Sequence, residues 1–318
     1  MIKLEKTKVV GFEPALRGMR NPKNSWDKAD SKKCNAITCK DEDTCENRYN
    51  FCIGENDHDL AMRLAKGGPV HAKYRRMITV YVDITAPLYW WKEFDTYKVG
   101  TVANSCSTMH KIHEKEFTLD DFSHEHLINM YDENGEIPIV DMSPLRDETH
   151  VFSPKGVLKI TIEMLNKCRD LFLETKKRLG NDCDSDEYKR LKELAKKYWW
   201  QMIQLLPSSY NQRRTVMLSY EVLANIYKWR KNHKLDEWRE FCKWIENLPY
   251  SEIITQAVVE ESAEKVKIQI EAYKRFAEML KKHMCSYDLD NHHGFEAVEE
   301  YVIDELLEEL LMEVEDAY

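Results

Sequence analysis

The sequence predicts a mixed α+β protein whose C-terminal half is mainly helical. Residues 78–84 alternate apolar and polar side chains, which is the period of a half-buried strand. From residue 156 onward, apolar side chains recur at helical spacing instead. With 318 residues and a hydrophobic content of 43%, the chain is long enough to bury the core of one large domain or two ordinary ones.

Few regular elements are expected before the strand. One short helical turn is predicted around Ala15–Met19, within a segment that otherwise has the composition of a loop. A longer helix is predicted to begin near Asn56 or Asp57, either of which is a favourable N-cap, and to end at Gly67-Gly68.

The strand and the residues after it form the most informative segment. Pro87 cannot donate a hydrogen bond to a sheet, so it is expected to end the strand and to start a helix. The segment Gly100–Thr108 is then predicted to be a polar loop. Its hydroxyl, amide and backbone donors would suit a phosphate or a polar ring.

Helices account for most of the remaining chain. Residues 112–150 look irregular, with turn signals at 132–136. The helices predicted after them are Lys159–Leu179, Tyr188–Leu206 ended by Pro207, Thr215–Lys231, Leu235–Ile245 before Pro249, Ser251–His283 and an acidic tail helix within 294–318.

The negative charge is concentrated at the C-terminus. Residues 294–318 contain ten acidic and no basic side chains, so removing them from the net charge of −9 leaves the rest near +1. The body is therefore not expected to bind nucleic acid generally, since such proteins carry a basic stripe. We expect the amphipathic tail helix to pack on its own domain or on a sister subunit, with a basic protein partner as the alternative.

The cysteines and the hydropathy pattern indicate a cytoplasmic protein. The chain has nine cysteines, and no signal peptide or transmembrane segment is recognisable in it. Cys34, Cys39, Cys45 and Cys52 are a weak zinc candidate because their spacing lacks the CxxC pairs of zinc knuckles. A plain surface loop is the alternative for this segment.

An aromatic cluster follows the predicted strand. At helical spacing these rings are more often part of a core than a stacking platform for a flavin or a base. The rings are those of Tyr89, Trp90, Trp91, Phe94 and Tyr97.

Two separated blocks of residues resemble the flavin-dependent thymidylate synthases, in particular divergent phage-type members. In the first block, Ala86-Pro87 matches the small-Pro pair that ends a family strand. Lys92-Glu93 then stands at the family's Arg-Gln pair and Thr96-Tyr97-Lys98 at its Arg-His-Arg motif. Further along, Thr101, Ala103-Asn104 and Cys106 take the places of a Ser, an Asn-Glu pair and a second Ser.

The second block lies more than a hundred residues later. Leu206-Pro207 followed by Arg213 matches a family Leu-Pro with an Arg six residues on. Asn225 and Arg230 match the family's Asn-x4-Arg, and His233 follows if one residue is deleted. Where the family helix begins Asn-x-Arg, this chain has Ser219 and Glu221. The resemblance covers roughly residues 12–250, so residues 1–250 are expected to form the synthase-like domain and 251–318 a helical extension.

The resemblance implies an antiparallel sheet and a homotetramer, or at least a homo-oligomer, with active sites between subunits. Each site would bind FAD and dUMP, with NADPH and methylenetetrahydrofolate as co-substrates. The cell compartment would be the cytosol of a bacterial host if the gene belongs to a phage.

The resemblance also assigns roles to individual residues. Arg230 would polarise the uracil as the catalytic residue and bind the substrate together with Arg213. Glu93, Thr101, Asn104, Cys106 and Ser107 would complete the substrate site, and Lys98, Tyr97, Asn225 and His233 would face the flavin. Glu93 replaces a Gln and can only accept hydrogen bonds, which would favour a base with an exocyclic amino group or a water-bridged contact.

Two alternatives from other classes remain. One is a catalytically silent homologue that keeps the nucleotide cleft, because the first motif loses two Arg and one His and only Lys98 restores a charge. The other is an interaction protein that acts through its acidic C-terminal helix.

Overall fold

A four-stranded antiparallel sheet lies at the centre of the fold. The computed structural model describes residues 2–33, 51–128, 153–180 and 183–255, with positions 271, 274 and 275. The sheet consists of β1 (Lys3–Val10), β4 (Thr79–Pro87), β5 (Thr101–Ser105) and β6 (Asn211–Ser219), in the order β1-β4-β6-β5. A separate two-stranded ribbon pairs β2 (Lys32–Lys33) with β3 (Phe51–Cys52). The mixed α+β architecture and the antiparallel sheet are thus confirmed.

Eight α-helices lie entirely within the described residues, and residues 252–255 are helical as well. They are α1 (Phe12–Arg20), α2 (Glu55–Lys66), α3 (Leu88–Phe94), α4 (Thr108–Lys111), α5 (Pro154–Lys177), α6 (Asp186–Leu205), α7 (Tyr220–Arg230) and α8 (Asp236–Glu246). The helices predicted around Ala15–Met19, Lys159–Leu179, Tyr188–Leu206 and Leu235–Ile245 are confirmed. A 3-10 turn at Ala72–Met77 leads into β4.

The alternating segment forms β4, as predicted. Val80, Val82 and Ile84 are buried on the inner face of the sheet, and Tyr81 between them is exposed. Pro87 is the last residue of the strand and the N-cap of α3. Because a proline lacks the N–H that the next ladder bond would need, the chain leaves the sheet at this residue.

The predicted helix Thr215–Lys231 is wrong in its first part. Asn211–Ser219 is a strand that pairs along its length with β4 and also with β5, and the helix begins only at Tyr220. Val216 and Leu218 are fully buried two residues apart, which is the period of a strand. Ser219 marks the true boundary, since its side chain caps the helix by accepting a hydrogen bond from the Val222 N–H.

The predicted loop Gly100–Thr108 is also wrong in part, because Thr101–Ser105 forms β5. This strand lies at the edge of the sheet and pairs only with β6 among the described strands. Four of its five side chains are exposed, so no alternation of apolar and polar residues is required there. An edge strand that lacks a buried face leaves no periodic signal in a sequence.

The N-cap expected at Asn56 or Asp57 is corrected to Gly54. Asp57 lies inside α2 and is 1% exposed. Its carboxylate accepts hydrogen bonds from the Arg20 Nε at 2.6 Å and from the Ser31 hydroxyl at 2.6 Å. A buried carboxylate needs such partners, so this residue joins α1 and α2 rather than capping a helix.

Two apolar clusters stabilise the described parts. The larger one packs the inner face of the sheet against α1, α3, α7 and α8, and its centre contains the fully buried rings of Trp90, Trp91, Phe94 and Trp238. The aromatic cluster after β4 therefore belongs mainly to the core, as expected. The smaller one joins α5 and α6 to Phe117 and Phe122.

Several predictions concern residues outside the described ranges. They include three of the four cysteines (Cys34, Cys39 and Cys45), the turn signals at 132–136, most of the helix predicted for Ser251–His283, and the acidic tail helix.

Candidate functional site

A large cleft opens beside the sheet, between the 3-10 turn that precedes β4, the turn that precedes β5, and α7. Its volume is about 920 Å³, near the upper end of the ~300–1,000 Å³ of small-molecule sites. The side chains that matter for its chemistry are Arg75, Arg76, Tyr97, Lys98, Asn225 and Trp229.

Both blocks that carry the family resemblance contribute to this cleft. Thr96-Tyr97-Lys98, at the place of the Arg-His-Arg motif, forms one wall together with Val99 and Gly100. Ser219, Glu221 and Asn225, from the second block, form the facing wall. Residues more than a hundred positions apart therefore meet in one cleft. This is because β6 pairs with β5 and leads directly into α7, which places the start of α7 beside the start of β5.

The cleft carries an excess of positive charge. Arg75 is buried and is neutralised by Glu221, with 2.8 Å between Nε and Oε2, and it also donates to the Ile253 carbonyl. Arg76 and Lys98 are exposed, and neither has a carboxylate partner among the described residues. Two cations at one opening favour an anionic ligand such as a phosphate.

Two glycines in the walls of the cleft have left-handed backbone conformations. Gly100 has φ +78°, which side chains rarely tolerate, and a Cβ there would lie 3.3 Å from Val222 Cγ2. Gly68, on the other wall, has φ +86° and no atom within 4 Å of its Cβ direction. The N-terminus of α7 also borders the cleft, and helix N-termini attract anions.

Trp229 is a cleft residue that the sequence analysis missed. It is 67% exposed, an unusual position for so large an apolar ring. It stands four residues after Asn225, so both side chains lie on the same face of α7. This spacing was readable in the sequence, since a planar ring one turn beyond a predicted ligand-binding amide suits a stacked aromatic ligand.

The donor set fits FAD in charge and in kind. The free cations of Arg76 and Lys98 suit a diphosphate, and the Asn225 amide can pair with the edge of a heterocycle. Trp229 offers a flat surface for a ring. Glu221 is the acidic residue in the lining, and Arg75 compensates its charge.

Arg230 belongs to a second cluster, formed by α3, α7 and α8. Its Nη1 lies 2.9 Å from Glu93 Oε2, and its Nε donates to the Tyr97 hydroxyl at 3.0 Å. The Arg230 Cζ lies 4.9 Å from the centre of the Trp238 ring. The Trp238 Nε1 donates a hydrogen bond to the same Glu93 carboxylate. Arg230 Nη2 makes no hydrogen bond to a described residue, so one nitrogen of the fork stays available.

His233 lies at the edge of this second cluster. Its Nε2 is 3.6 Å from Glu93 Oε2 and its Nδ1 accepts a hydrogen bond from the Leu235 N–H. Burial lowers the pKa of His233 below its usual value, and the charge of Arg230 lowers it further, although Glu93 opposes the shift. These surroundings favour the neutral imidazole.

Arg213 lies on the outer face of the sheet, apart from both groups. It donates to Asp83 at 2.8 Å and lies 3.3 Å from Glu5. Hydrogen bonds from Thr215 and from Arg213 hold the pKa of Asp83 below its usual range. Within one chain, Arg213 contacts neither Arg230 nor the cleft.

The remaining predicted substrate residues lie along β5 and just beyond it. Thr101 and Asn104 belong to the strand, and Cys106 follows it with its N–H bonded to the Arg213 carbonyl. The Ser107 side chain caps α4 by accepting from the His110 N–H. The structure thus brings Glu93, Tyr97, Arg230 and His233 together, and separately Tyr97, Lys98 and Asn225.

Neither a metal site nor a membrane span is found in the described part of the chain. No group of three or more His, Cys, Asp or Glu side chains there has the arrangement of a metal site. Cys52 is the one member of the zinc candidate that is described, so the zinc hypothesis stays a prediction. No described helix combines the length and apolarity that a transmembrane helix needs.

Comparison with known proteins gives matches among solved structures. No protein-family model and no curated protein matches the sequence. Thymidylate synthase X from Helicobacter pylori with FAD and dUMP is 15% identical, with a TM-score of 0.45 over 81% of this chain and 99% of that chain. A second structure of the enzyme from that organism, complexed with FAD and dUMP, is 15% identical, with a TM-score of 0.42 over 78% and 96%. At this identity and TM-score the likeness assigns no function to this chain.

Proposed function

We propose that this chain is a divergent flavin-dependent thymidylate synthase-like enzyme that transfers one carbon to a pyrimidine deoxynucleotide monophosphate, converting dUMP to dTMP. One observation carries the proposal. Thr96–Lys98 from the first block and Ser219, Glu221 and Asn225 from the second lie far apart in sequence yet form facing walls of one cationic cleft. A chance resemblance in two segments gives no reason for them to meet at a site of suitable charge.

The cleft would hold the flavin nucleotide through its own donors. Lys98 would bind the diphosphate through its single ammonium charge, and Arg76 through the paired N–H donors of its guanidinium. Asn225 would fix the heterocycle by hydrogen bonds, and Trp229 would cover one face of a ring and exclude water. When bound, FAD would supply the hydride and relay the carbon, with NADPH and methylenetetrahydrofolate as co-substrates.

Arg230 would act on the pyrimidine. Its free Nη2 can donate to a ring carbonyl, while Tyr97, Trp238 and Glu93 hold the guanidinium in place. Such a fixed donor stabilises negative charge that develops on the ring. Arg213, with Cys106 and Ser107, would bind the nucleotide phosphate in a homotetramer whose sites lie between subunits.

A second candidate, a catalytically silent nucleotide-binding homologue, is favoured by the contact between Glu93 and Arg230. The carboxylate compensates the charge that catalysis would use, at an N–O distance of 2.9 Å. A binding protein would keep the cleft without needing that charge.

Spectroscopy and ligand-induced stabilisation distinguish the two candidates. If the chain is a flavin-dependent enzyme, purified protein will show the visible flavin bands, oxidise NADPH and form dTMP from dUMP. Colourless protein that gains thermal stability with dUMP or dCMP would support the silent homologue, because a ligand that binds only the folded state raises its population. Colourless protein that neither FAD nor a nucleotide stabilises would rule out both.

A further inference from the structure

The two edges of the central sheet differ in their protection against pairing with another strand. β1, at one edge, carries Lys3, Lys6 and Lys8, and its register shifts between Glu5 and Lys8. Charged side chains and bulges of this kind prevent edge-to-edge association. β5, at the other edge, has neither. The segment 99–109 contains no charged residue, and Val99 and Val102 are 92% and 60% exposed.

The backbone of β5 presents unpaired groups along its outer edge. The Cys106 N–H donates to the Arg213 carbonyl at 2.9 Å, in the same register as the β5–β6 ladder. In an antiparallel pair, residues alternate between bonding the neighbouring strand and pointing away from it. Val102 and Asn104 therefore bond β6, whereas Ala103 and Ser105 direct their N–H and C=O groups outward. No described residue bonds these outward groups.

We propose that β5 pairs with β5 of a second copy of this chain, antiparallel about a twofold axis at Ala103, to form a continuous eight-stranded sheet. This register sets Ala103 opposite the partner's Ala103 and Thr101 opposite the partner's Ser105. The Thr101 N–H already donates to the Lys98 carbonyl at 3.3 Å, so the new bonds come from the Ala103 pair and from the Ser105 N–H to the partner's Thr101 carbonyl. A neutral edge that complements itself fits a second copy.

The same register links the interface to the cleft. With Thr101 opposite the partner's Ser105, the partner's Cys106 and Ser107 come beside the turn at Val99-Gly100, and both of these turn residues line the cleft. Within one chain Cys106 is six residues beyond Gly100, or roughly 20 Å along an extended strand. Pairing would thus bring a thiol and a hydroxyl from the second copy to the rim of the cleft.

Charge at the twofold axis tests the pairing. In a pair bonded at Ala103 the two Cα atoms are about 5.5 Å apart, so Ala103→Lys and Ala103→Asp each place like charges opposite one another. We expect either variant alone to have half the wild-type mass by light scattering at equal concentration. An equimolar mixture of the two should regain the wild-type mass, which a misfolded variant cannot do.

A matched substitution on β1, the edge strand with charged side chains and a register shift, is the control. Val10 on β1 is 37% exposed, and Val10→Lys should leave the mass unchanged. A monomeric wild-type protein, or Ala103→Lys protein that keeps the wild-type mass, would overturn the proposed pairing. Mass does not depend on flavin or nucleotide, so Ala103→Lys protein that keeps the wild-type mass overturns the pairing alone, whereas a monomeric wild-type protein would also contradict the homotetramer of the proposed function.

Discussion

The contacts of Glu93 and Arg230 show how single residues set what the second cluster can do. Arg230 is fixed on several sides by Glu93, Tyr97 and Trp238, and one of its terminal nitrogens remains free. Such fixation removes the entropy cost of ordering a long side chain when a ligand binds. The same carboxylate limits the positive charge that a substrate would meet. Arg230 is therefore suited to precise hydrogen bonding more than to long-range attraction.

Asp57 provides the first residue-scale prediction. Asp57→Asn would leave the buried Arg20 guanidinium, which is 4% exposed, without a countercharge. Breaking a buried ion pair in this way costs about 3–5 kcal/mol, which urea unfolding can measure. Glu13→Gln is the control, because Glu13 and Lys33 are a largely exposed pair 3.5 Å apart whose loss costs about 0–1 kcal/mol. Equal losses in both variants would contradict the buried network.

His233 gives a prediction about pH. Its pKa is lowered in the folded protein, so below about pH 6.5 the unfolded chain binds more protons than the folded chain. Folding stability should therefore fall as the pH drops from 7 to 5 and His233 is forced to take up a proton. His233→Gln should lose less stability over this interval, as measured by urea unfolding at both pH values. The exposed His110→Gln variant is the control, and a wild-type slope in His233→Gln would refute the assignment.

At the scale of elements, the sequence predicted best where burial is one-sided. The alternation of β4 and the apolar stripes of α5, α6 and α8 were all readable, because each element has one face in the core. β5 was not readable, since it has no buried face. The second half of β6, from Thr215 to Ser219, is predicted as the start of a helix, because Val216 and Leu218 merge with the apolar residues of α7 behind them. Only the pairing of β6 with both neighbouring strands decides its conformation, and that information is not local.

The candidate site was partly predictable for the same reason. Lys98 and Asn225 could be assigned from their positions in two short motifs, although their meeting in one cleft depends on the sheet register. Trp229 is missed because it does not stand at a motif position. The compensation of Arg230 by Glu93 was also missed, since no pattern joins α3 to α7 in the sequence.

The cap of α7 provides an element-scale prediction. Ser219→Ala removes the side chain that accepts the Val222 N–H, and losing such a cap costs about 1 kcal/mol. Because the start of α7 borders the cleft, FAD affinity measured by fluorescence titration should also fall. Ser185→Ala removes the equivalent cap of α6, outside the cleft. That control should lose similar stability with no change in FAD affinity; a matching drop in its affinity would mean that the cap of α7 has no special role.

At the scale of the whole molecule, the central sheet positions the aromatic core, the cleft and the edge strand β5. Its inner face holds the aromatic core, and the β6–α7 junction forms the cleft. The edge of the sheet at β5 is where the proposed second copy pairs. Arg213 lies on the outer face of the sheet and, within one chain, contacts neither the cleft nor the cluster around Arg230. A site shared between subunits would explain why the predicted phosphate residues lie along the outer parts of the sheet.

The most direct test of the account is an FAD titration of the full-length protein and of the double variant Arg76→Ala Lys98→Ala. If FAD binds in the cleft through Arg76 and Lys98, the wild-type protein should bind FAD and the double variant should bind it at least tenfold more weakly, equivalent to about 1.4 kcal/mol of binding free energy. Lys23→Ala Lys28→Ala removes two charges outside the cleft and should bind as wild type does. A wild-type protein that does not bind FAD, or a double variant with unchanged affinity, would contradict the account.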